Sequence, residues 1–453
     1  MTSSQVDAEP PGPGTLATLA IGPRFRRDPL GTTASVVRRY GDVICSRFGP
    51  WRFYTVFQPA HVQHVLHDHH DNYVKGALVA RARILIGDGL VTSEGTLWRR
   101  QRRTIQPAFH RPSIVTLAPA ITAGVETMLA GWNRQAADGA PLDLAAEMTR
   151  LTLDIAGMAF FGVELGDEAR RVGDALRVAL AYLNRRLTSL LPLPTALPLP
   201  QALRFRRARD TLDRLVADVI QRRRRAGAAD RNMLSLLLAA RDPETGEAMS
   251  DRQVRDEVMT FVLAGHETTA LTLTWALYLL ARHPEIDTRV RAEIHAALGD
   301  RSPTPDDLPR LPYTRAVLDE TLRLYPPLWA FGREPIADDR IGGYRIRAGS
   351  SVAVVPWITH RLPDVWPDPE RFDPERFTGL GARARPRYAY LPFGGGPRQC
   401  IGSEFALMEA HLVLPAIVRA YRVELVDDRP VEPYPTVTLR PRTAITARLR
   451  PAA

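Results

Sequence analysis

The feature that most constrains the fold is a long, uninterrupted helical pattern that begins at Ser250-Asp251 and ends before Pro284. Serine and aspartate cap helices and proline stops them, so the pattern predicts a single helix of about 33 residues. At about 1.5 Å per residue this helix is roughly 50 Å long, enough to cross a whole domain. A fold that accommodates it must pack other elements along its entire length.

The most apolar part of this helix, residues 261–280, is as long as a membrane span but carries His266 and Glu267 in its first half. An acidic residue in mid-span costs about 2.5–3.5 kcal/mol on insertion scales. We therefore predict a buried helix of a globular protein and expect no integral membrane anchor.

Strand-like segments lie near both ends of the chain. Residues 42–47 and 51–57 are rich in β-branched and aromatic side chains on either side of Gly49-Pro50, which predicts a hairpin. Similar segments follow late in the sequence, at residues 342–346, 350–355, 436–439 and 444–447. Because long helical patterns fill the region between them, we predict a mainly α fold with small β-sheets assembled from both ends.

Pairing between the two ends favours one large domain, which we assign to residues 26–453 after a polar, proline-rich tail over residues 1–25. Within it, predicted helices at 168–190 and 201–225 flank a leucine- and proline-rich segment, 191–200, that cannot be helical. This segment is either a packed connection or an access lid. The arginine run 222–225 ends the second helix, and we predict that it is a solvated helix end.

The chain carries 60 basic and 50 acidic residues, and Lys75 is its one lysine. We attribute this excess of arginine to the arginine- and alanine-rich composition of a chain from a G+C-rich genome, with a nucleic-acid or other acidic partner as the alternative. Two cysteines, Cys45 and Cys400, are too few for a disulfide framework. The N-terminal residues lack the basic start and apolar run of a signal peptide, so we expect a cytoplasmic protein.

Residues 393–402, Phe-Gly-Gly-Gly-Pro-Arg-Gln-Cys-Ile-Gly, join a glycine-rich turn to the second cysteine. Glycines let the backbone approach a flat surface closely, and a cysteine held there can ligate a metal as its thiolate. A flat cofactor beside a thiolate suggests haem. The spacing Phe-x-x-Gly-x-Arg-x-Cys-x-Gly resembles the haem-binding loop of the cytochrome P450 family; the alternative for Cys400 is a small buried hydrophobic side chain.

This resemblance implies the family's triangular-prism fold and a haem b (iron protoporphyrin IX) cofactor. Cys400 would be the axial ligand of the iron, its thiolate pushing electron density toward O–O cleavage. The other cofactor-binding residues of the loop would be Phe393, Gly396, Arg398 and Gly402, with Arg398 at a haem propionate.

On the long helix, Ala264-Gly265-His266-Glu267-Thr268-Thr269 resembles the family's oxygen-binding segment. There Ala264 would make room over the iron, the hydroxyl of Thr268 would hydrogen-bond the oxygen species, and Glu267 would relay protons by way of water. The alternative is a kinked helix with surface polar residues. His266 occupies a variable position of the family pattern, and we expect it to be an ordinary packing residue.

Glu320 and Arg323 lie three residues apart on one predicted helix face, where they can pair. Arg376, in Pro-Glu-Arg-Phe at 374–377, follows at about the family's distance. The resemblance implies a Glu-Arg-Arg cluster of these three residues that is structural and not catalytic.

Trp98 and Arg102 are one helical turn apart and would face one partner, which the resemblance identifies as a haem propionate. Arg333 resembles another propionate contact, though more loosely. Generic solvated cations are the alternative for these arginines. The neighbouring arginines would face solvent, where an acidic electron donor could dock by complementary charge; they are Arg99, Arg100 and Arg103.

The resemblance implies a haem-thiolate monooxygenase that inserts one atom of O2 into a hydrophobic small molecule of terpenoid, fatty-acyl or polyketide-like type. Electrons from NAD(P)H would arrive through a separate ferredoxin or flavodoxin and its reductase. The substrate pocket would include Leu90, Val91, Ala264, Leu328, Trp329 and Ala330, for which core packing is the alternative.

Two alternatives stay open. A peroxygenase or isomerase would need no electron donor, but the presence of Glu267 and Thr268 favours the monooxygenase. A non-enzymatic haem sensor or an arginine-rich nucleic-acid binder is the alternative from another class. The arginines are spread along the chain and no recognition element accompanies them, so we expect no nucleic-acid partner.

Overall fold

The computed structural model describes residues 8–162, 166–188, 194–195, 197–226, 232–379 and 384–452. The α-helices of the described residues are α1 Thr15–Arg27, α2 Pro29–Tyr40, α3 Pro59–Gln63, α4 Gly76–Ala80, α5 Arg83–Ile86, α6 Gly95–Ile105, α7 Arg111–Val115, α8 Ala118–Ala137, α9 Leu144–Ala156, α10 Gly166–Thr188, α11 Pro200–Ala226, α12 Met233–Ala239, α13 Asp251–Arg282, α14 Pro284–Leu298, α15 Pro312–Leu324, α16 Pro356–Thr359 and α17 Ser403–Ala420.

The strands are short in comparison. They are β1 Val43–Phe48, β2 Trp51–Val56, β3 Tyr73–Val74, β4 Leu142–Asp143, β5 Phe331–Pro335, β6 Asp339–Ile341, β7 Tyr344–Ile346, β8 Ser351–Val354, β9 Tyr421–Leu425, β10 Pro433–Pro435, β11 Leu439–Pro441 and β12 Thr446–Pro451. The predicted fold class, mainly α with small β-sheets, is confirmed.

The chain divides into two compact units. The first comprises the residues up to Ala80 together with Leu322–Cys400 and Tyr434–Arg440. The second comprises Arg81–Thr321, Ile401–Pro433 and the residues from Pro441 onward. The assignment of residues 26–453 to a single domain remains a prediction.

A five-stranded sheet in the order β1-β2-β8-β5-β3 forms the centre of the first unit. The predicted hairpin is present: β1 and β2 pair antiparallel from Val43 opposite Val56 to Phe48 opposite Trp51. Gly49 has a φ of +57°, which permits the tight turn between the strands. Because β8 joins β2 in parallel from the other end of the sequence, the sheet connects distant parts of the chain.

The N-terminal segment contributes to this unit. The amides of Cys45 and Arg47 on β1 donate hydrogen bonds to the carbonyls of Pro11 (2.9 Å) and Pro13 (3.0 Å). Proline fixes an extended backbone that can accept such bonds along a strand edge without donating its own. The stretch predicted as a tail, residues 1–25, therefore includes a segment that hydrogen-bonds to the sheet, followed by most of α1.

Helix α13 is the long helix predicted from the sequence. Ser250 and Gln253 form a capping box at its start, and His283 caps its end just before Pro284. Most residues of α13 are buried, including Trp275 and Leu273, so the helix is covered around its circumference. Its main packing partner is α9. A three-stranded sheet in the order β4-β12-β9 completes the second unit.

The two helices predicted at 168–190 and 201–225 correspond to α10 and α11. Residues 191–193 and 196 of the leucine- and proline-rich segment lie outside the described residues, so its role as a lid stays untested. The prediction of a solvated end for α11 is wrong at Arg223, whose side chain is buried between exposed neighbours. A helix rotates each successive residue by about 100°, so one arginine of four faces inward.

Among the described residues, the stretch Arg111–Ala137 has the length and mean hydropathy, 1.5, of a membrane span. A turn at Thr116 and Leu117 interrupts it between α7 and α8. Core helices of globular proteins share these properties.

Candidate active site

The cysteine loop, defined as residues 393–400, belongs to the first unit and closes on itself. The amide of Cys400 donates a hydrogen bond to the carbonyl of Phe393 (2.9 Å), and the amide of Gln399 donates one to Gly396 (3.0 Å). Residues Gly396–Arg398 form a single 3₁₀ turn. The loop thus holds Phe393, Gly396, Arg398 and Cys400 in one compact turn, and their role in binding haem stays a prediction.

Glycine is required at two positions of this loop. A Cβ atom on Gly395 would lie 2.5 Å from the ring of Tyr388, and one on Gly396 would lie 1.7 Å from the carbonyl oxygen of Leu66. Gly394 has a φ of +70°, with open space where its Cβ would stand. These glycines let the loop pack against its support while its outer side stays accessible.

The two cysteines have opposite environments. Cys45 is fully buried on β1, and burial raises the pKa of its thiol. Cys400 is exposed at the end of the cysteine loop. A reactive or metal-ligating thiol needs access, so Cys400 is the candidate ligand and Cys45 is part of the core.

In the second unit, one face of α13 is accessible in the middle of an otherwise buried helix. Ala264 is exposed and Thr268, one turn later, is partly exposed, whereas Glu267 is buried. The hydroxyl of Thr268 donates to the carbonyl of Ala264 (2.8 Å). Ala264 and Thr268 therefore share one surface of the helix, where a small side chain stands beside a hydroxyl.

His266 faces away from that surface. Its Nδ1 lies 2.6 Å from the carbonyl of Val262, and Thr152 on α9 donates to the carbonyl of His266 (2.9 Å). The ring is buried. These contacts give it a packing role, as expected from its variable position in the motif.

A buried carboxylic acid next to this region was not predicted. Glu409 on α17 is 2% exposed. Burial raises the pKa of Glu409 to about 8, and a hydrogen bond from the hydroxyl of Thr269 only partly opposes this effect. The sequence signal was one acidic residue inside the apolar run of α17, which alone does not distinguish a buried from a surface position.

Trp98 and Arg102 lie on α6 and are both partly buried. Arg100 and Arg103 are partly exposed, at 36% and 33% of their side chains, but both pair with carboxylates that the sequence did not indicate, and their role in docking a donor stays a prediction. Arg103 donates two hydrogen bonds to Asp242 (both 2.9 Å), and Arg100 pairs with Glu247 (2.8 Å). The turn at residues 242–247, which is distant in the sequence, packs beside α6 and places the carboxylates of Asp242, Glu244 and Glu247 next to these arginines.

Asp242 is the buried member of this group of charges, because its side chain is fully covered while it pairs with Arg103. Burial acts to raise the pKa of Asp242, but the amide of Glu244 and the guanidinium of Arg103 outweigh that effect and hold the pKa below its usual value. Glu244 also pairs with Arg103. Arg99 remains exposed on the same helix.

Arg333 lies on β5 of the first unit, where its guanidinium donates to the carbonyl of Gly332 (2.9 Å) and stands 5.1 Å from the ring centroid of Phe331. These contacts hold the side chain beside its own strand. Its role at a propionate stays a prediction.

Arg323 is buried and forms a network in the first unit. It donates to the carbonyls of His360 (2.9 Å), Pro369 (2.7 Å) and Arg371 (3.2 Å) and lies 5.2 Å from the ring centroid of Trp366. Arg323 therefore links both ends of the segment 360–371 through hydrogen bonds to its backbone.

Arg376 donates to the carbonyl of Asp368 in that same segment (3.0 Å). His360 is fully buried; it accepts from the amide of Leu391 through Nε2 and contacts the carbonyl of Arg323 through Nδ1. Burial, aided by the charge of Arg323, lowers the pKa of His360 to about 3. Glu320 of the second unit is also fully buried.

The predicted pocket residues differ in exposure. Leu90 is buried, and its amide donates to Glu257 (2.9 Å), whereas Val91 is 41% exposed and Leu328 is 39% exposed. The indole of Trp329 donates to the carbonyl of Thr436 (2.9 Å). Ala330 packs partly buried against a small core cluster of the first unit. Val91 and Leu328 are therefore available for a ligand, and Leu90 is a packing residue in this structure.

Comparison with known proteins gives one consistent family. The family model described as Cytochrome P450 matches residues 10–447. Cyclooctat-9-en-7-ol 5-monooxygenase of Streptomyces melanosporofaciens is 39% identical over 91% of this chain and 88% of its own length. Pentalenene oxygenase of Streptomyces avermitilis is 34% identical over 96% of this chain and 97% of its own length. The crystal structure of the cytochrome P450DA heme domain superposes with a TM-score of 0.89 at 29% identity, covering 98% of both chains.

Proposed function

The chain belongs to the cytochrome P450 family, and from this premise we propose that Cys400 is the residue that ligates its haem iron. The protein is an oxidoreductase, a haem monooxygenase that acts on a hydrophobic substrate. When bound, the haem supplies the redox chemistry that places one atom of O2 in the substrate and releases the other as water. The observation that carries the assignment is the exposure of Cys400 at the end of a loop built from glycines.

The residues of the cysteine loop fit a haem ligand. A thiolate is a soft donor that suits iron in a porphyrin. The hydrogen bond between Cys400 and Phe393 fixes the position of the sulfur-bearing residue, and the glycines leave the outer side of the loop open for a flat ring. Gly402, two residues after the ligand, completes the motif at the start of α17.

Ala264, Glu267 and Thr268 would serve the oxygen chemistry. Formation of one water molecule for each oxygenated product consumes two protons, which side chains beside the reacting oxygen can deliver. The hydroxyl of Thr268 can hold a proton at the accessible face of α13, and Glu267 is the adjacent carboxylate that can pass one on. Ala264 keeps that face free of bulk.

Trp98, Arg102, Arg333 and Arg398 would bind the propionates. Guanidinium and indole N–H groups are donors to carboxylates, and arginine forms the stronger, charge-assisted bonds. The partly buried positions of Trp98 and Arg102 on one face of α6 support this role.

The substrate is a terpenoid in our proposal. Two relatives of this chain are named Cyclooctat-9-en-7-ol 5-monooxygenase and Pentalenene oxygenase. Val91 of the second unit has an exposed apolar side chain, and so does Leu328 of the first unit. Trp329 and Ala330, beside Leu328, add apolar surface, and the indole N–H of Trp329 is already bonded. A hydrocarbon skeleton with few polar groups suits side chains of this kind.

Redox partners deliver the electrons. We assign this role to a ferredoxin or flavodoxin with its NAD(P)H-dependent reductase in the cytoplasm. The net charge of +10 favours an acidic donor by long-range attraction.

The first experiment measures the optical spectrum of the reduced protein under carbon monoxide. Wild type and the matched variant Cys45→Ala should give the far red-shifted band of thiolate-ligated haem, and Cys400→Ser should lose it. A thiolate-type band in Cys400→Ser would remove Cys400 from the iron.

The second experiment identifies the substrate class by the shift in haem spin state when a ligand displaces solvent. A panel of terpene hydrocarbons and alcohols is compared with fatty acids of similar size. We expect saturable shifts with terpenoids and none with fatty acids at the same concentrations. The reverse order would assign the enzyme to fatty-acyl chemistry.

A further inference from the structure

Three potential metal ligands, none of them part of the cysteine loop, converge in the first unit. His64, His69 and Asp339 each offer one ligand atom, and these atoms all lie within 4.8 Å of one another. His64 Nε2 and Asp339 Oδ2 are 2.8 Å apart. Asp339 begins β6, 270 residues after His69 in the sequence, so the three residues meet only through folding.

A wide helical turn places the two histidines side by side. After α3, residues His64–Asp68 form a π-helical turn in which the amide of His69 donates to the carbonyl of His64 (2.9 Å). The two imidazole rings stack with centroids 3.9 Å apart and planes 19° from parallel. Residues five apart do not share a face of a regular α-helix, and π-helical turns of this kind are frequent at functional sites.

Two hydrogen bonds from neighbouring residues orient the carboxylate of Asp339. The buried hydroxyl of Tyr73 donates to Asp339 Oδ2 (2.7 Å), and the amide of Arg340 donates to Oδ1 (2.7 Å). The side chain of Asp339 is 10% exposed and that of His64 is 21% exposed. Hydrogen bonds that orient a ligating carboxylate are a regular part of metal sites.

We propose that His64, His69 and Asp339 bind a divalent transition-metal ion of the zinc class, with water in the remaining position. Two ligand atoms about 2.0–2.1 Å from one ion lie roughly 2.9–3.4 Å apart. The His64–Asp339 pair therefore needs to open only slightly to admit the ion. Imidazole and carboxylate together select zinc, cobalt or nickel over magnesium and calcium.

The ion would join the turn at residues 64–69 to strand β6. This turn packs against the cysteine loop: the carbonyl oxygen of Leu66, in the middle of the turn, would clash with a Cβ atom on Gly396. Metal binding would thus stiffen the part of the first unit on which the cysteine loop rests. The proposal does not depend on the assignment of Cys400.

The test uses the tag-free holoprotein, treated with a chelator and dialysed, because polyhistidine tags bind the same ions. Titration calorimetry with ZnCl2 should show one ion bound per chain, and titration with MgCl2 should show none. At a concentration of about 100 times Kd, zinc should raise Tm by about 2–3 °C. Failure to bind one equivalent of zinc would overturn the proposal.

Variants separate this site from unspecific binding by surface histidines. His69→Asn should weaken zinc binding at least about tenfold, and Tyr73→Phe, which loosens the carboxylate, about tenfold. The matched control His70→Asn removes the neighbouring histidine, which bonds to the carbonyl of His67 and lies outside the ligand set. Equal losses in His69→Asn and His70→Asn, with unchanged Tm in the absence of metal, would refute the site.

Discussion

The carbonyl oxygen of Leu66 occupies the place that a side chain on Gly396 would need, because a Cβ built there lies 1.7 Å from that oxygen. The obstacle is backbone, which cannot rotate away as a side chain would. Gly396 also has a φ of +67°, a conformation that other residues adopt only under strain. The shape of the cysteine loop therefore depends on this one glycine for two separate reasons.

Gly396→Ala should destabilise the protein by about 2–5 kcal/mol, because left-handed strain adds to the clash with Leu66. Gly394→Ala is the matched control: its φ is also positive, +70°, but no atom lies within 4 Å of its would-be Cβ. We expect a loss of about 1–2 kcal/mol there. Chemical denaturation and haem content measure both effects, and equal losses in the two variants would contradict the role of Leu66.

Thr268→Ala should keep haem and substrate binding but divert reducing equivalents from product to peroxide and water, because the hydroxyl that holds a proton on α13 is lost. Thr268→Ser should restore most of the coupling. Thr272→Ala removes another hydroxyl of the same helix, which donates to the carbonyl of Thr268, and serves as the control. The measurement is product formed per NAD(P)H consumed; unchanged coupling in Thr268→Ala would exclude Thr268 from the mechanism.

Arg323→Ala should give misfolded, haem-poor protein, since the carbonyls of His360, Pro369 and Arg371 lose their common donor and the buried guanidinium that joins them is removed. Losses of this kind amount to about 3–5 kcal/mol. Arg323→Lys should fail as well, because an ammonium group cannot match the planar fork of the guanidinium. Arg371→Ala, whose side chain is exposed, is the control. Normal haem content in Arg323→Ala would refute the structural role.

The buried acid Glu409 predicts that stability falls as the pH rises from about 4.5 to about 8. Its folded-state pKa, raised by burial to about 8, exceeds the ordinary value of 4.5. Its protonated form is favoured in the folded protein, so the associated stability is present in full below pH 4.5 and is lost as the pH rises toward 8.

Glu409→Gln mimics the protonated acid at every pH and should remove this dependence. Its stability relative to wild type should increase between pH 5 and 8 by up to about 1.4 kcal/mol per pH unit. Urea denaturation at several pH values gives the two curves. Parallel curves for variant and wild type across this range would show that Glu409 is not held protonated.

Local signals explain which parts of the fold could be predicted. Helix α13 begins at a capping box and ends before a proline, and the β1–β2 hairpin has its turn residues between two apolar strands. Both depend on residues that are neighbours in the sequence. The cysteine loop was predictable for the same reason, since Phe393 and Cys400 are seven residues apart and one hydrogen bond joins them.

What the sequence did not predict depends on distant residues. Arg103 meets Asp242, 139 residues later, and no pattern around either residue indicates the partner. Asp339 meets His64 in the same way. The burial of Glu409 follows from the neighbours of α17 and not from its own sequence. Tertiary contacts determine these cases, and a single sequence read by itself contains no record of which distant residues meet.

The pairing between α6 and the turn at residues 242–247 makes a prediction about the electron donor. Arg100 and Arg103 are cations that could attract an acidic ferredoxin, but Glu247 and Glu244 partly neutralise them. Both glutamates are well exposed, with 61% and 68% of their side chains accessible, so their replacement should not disturb folding. Asp242 would stay in place and keep the turn attached to α6.

The double variant Glu244→Gln/Glu247→Gln should therefore associate with an acidic ferredoxin about two- to tenfold faster at low salt, because it exposes two positive charges to the approaching partner. The gain should vanish at high ionic strength, where exposed charges are screened. Glu285→Gln/Glu432→Gln has the same net charge and removes two similarly exposed glutamates, which contact His283 and Arg442 and lie outside α6 and the turn at residues 242–247. If stopped-flow reduction gives both double variants the same rate, the donor docks away from α6, and the turn at residues 242–247 only braces that helix.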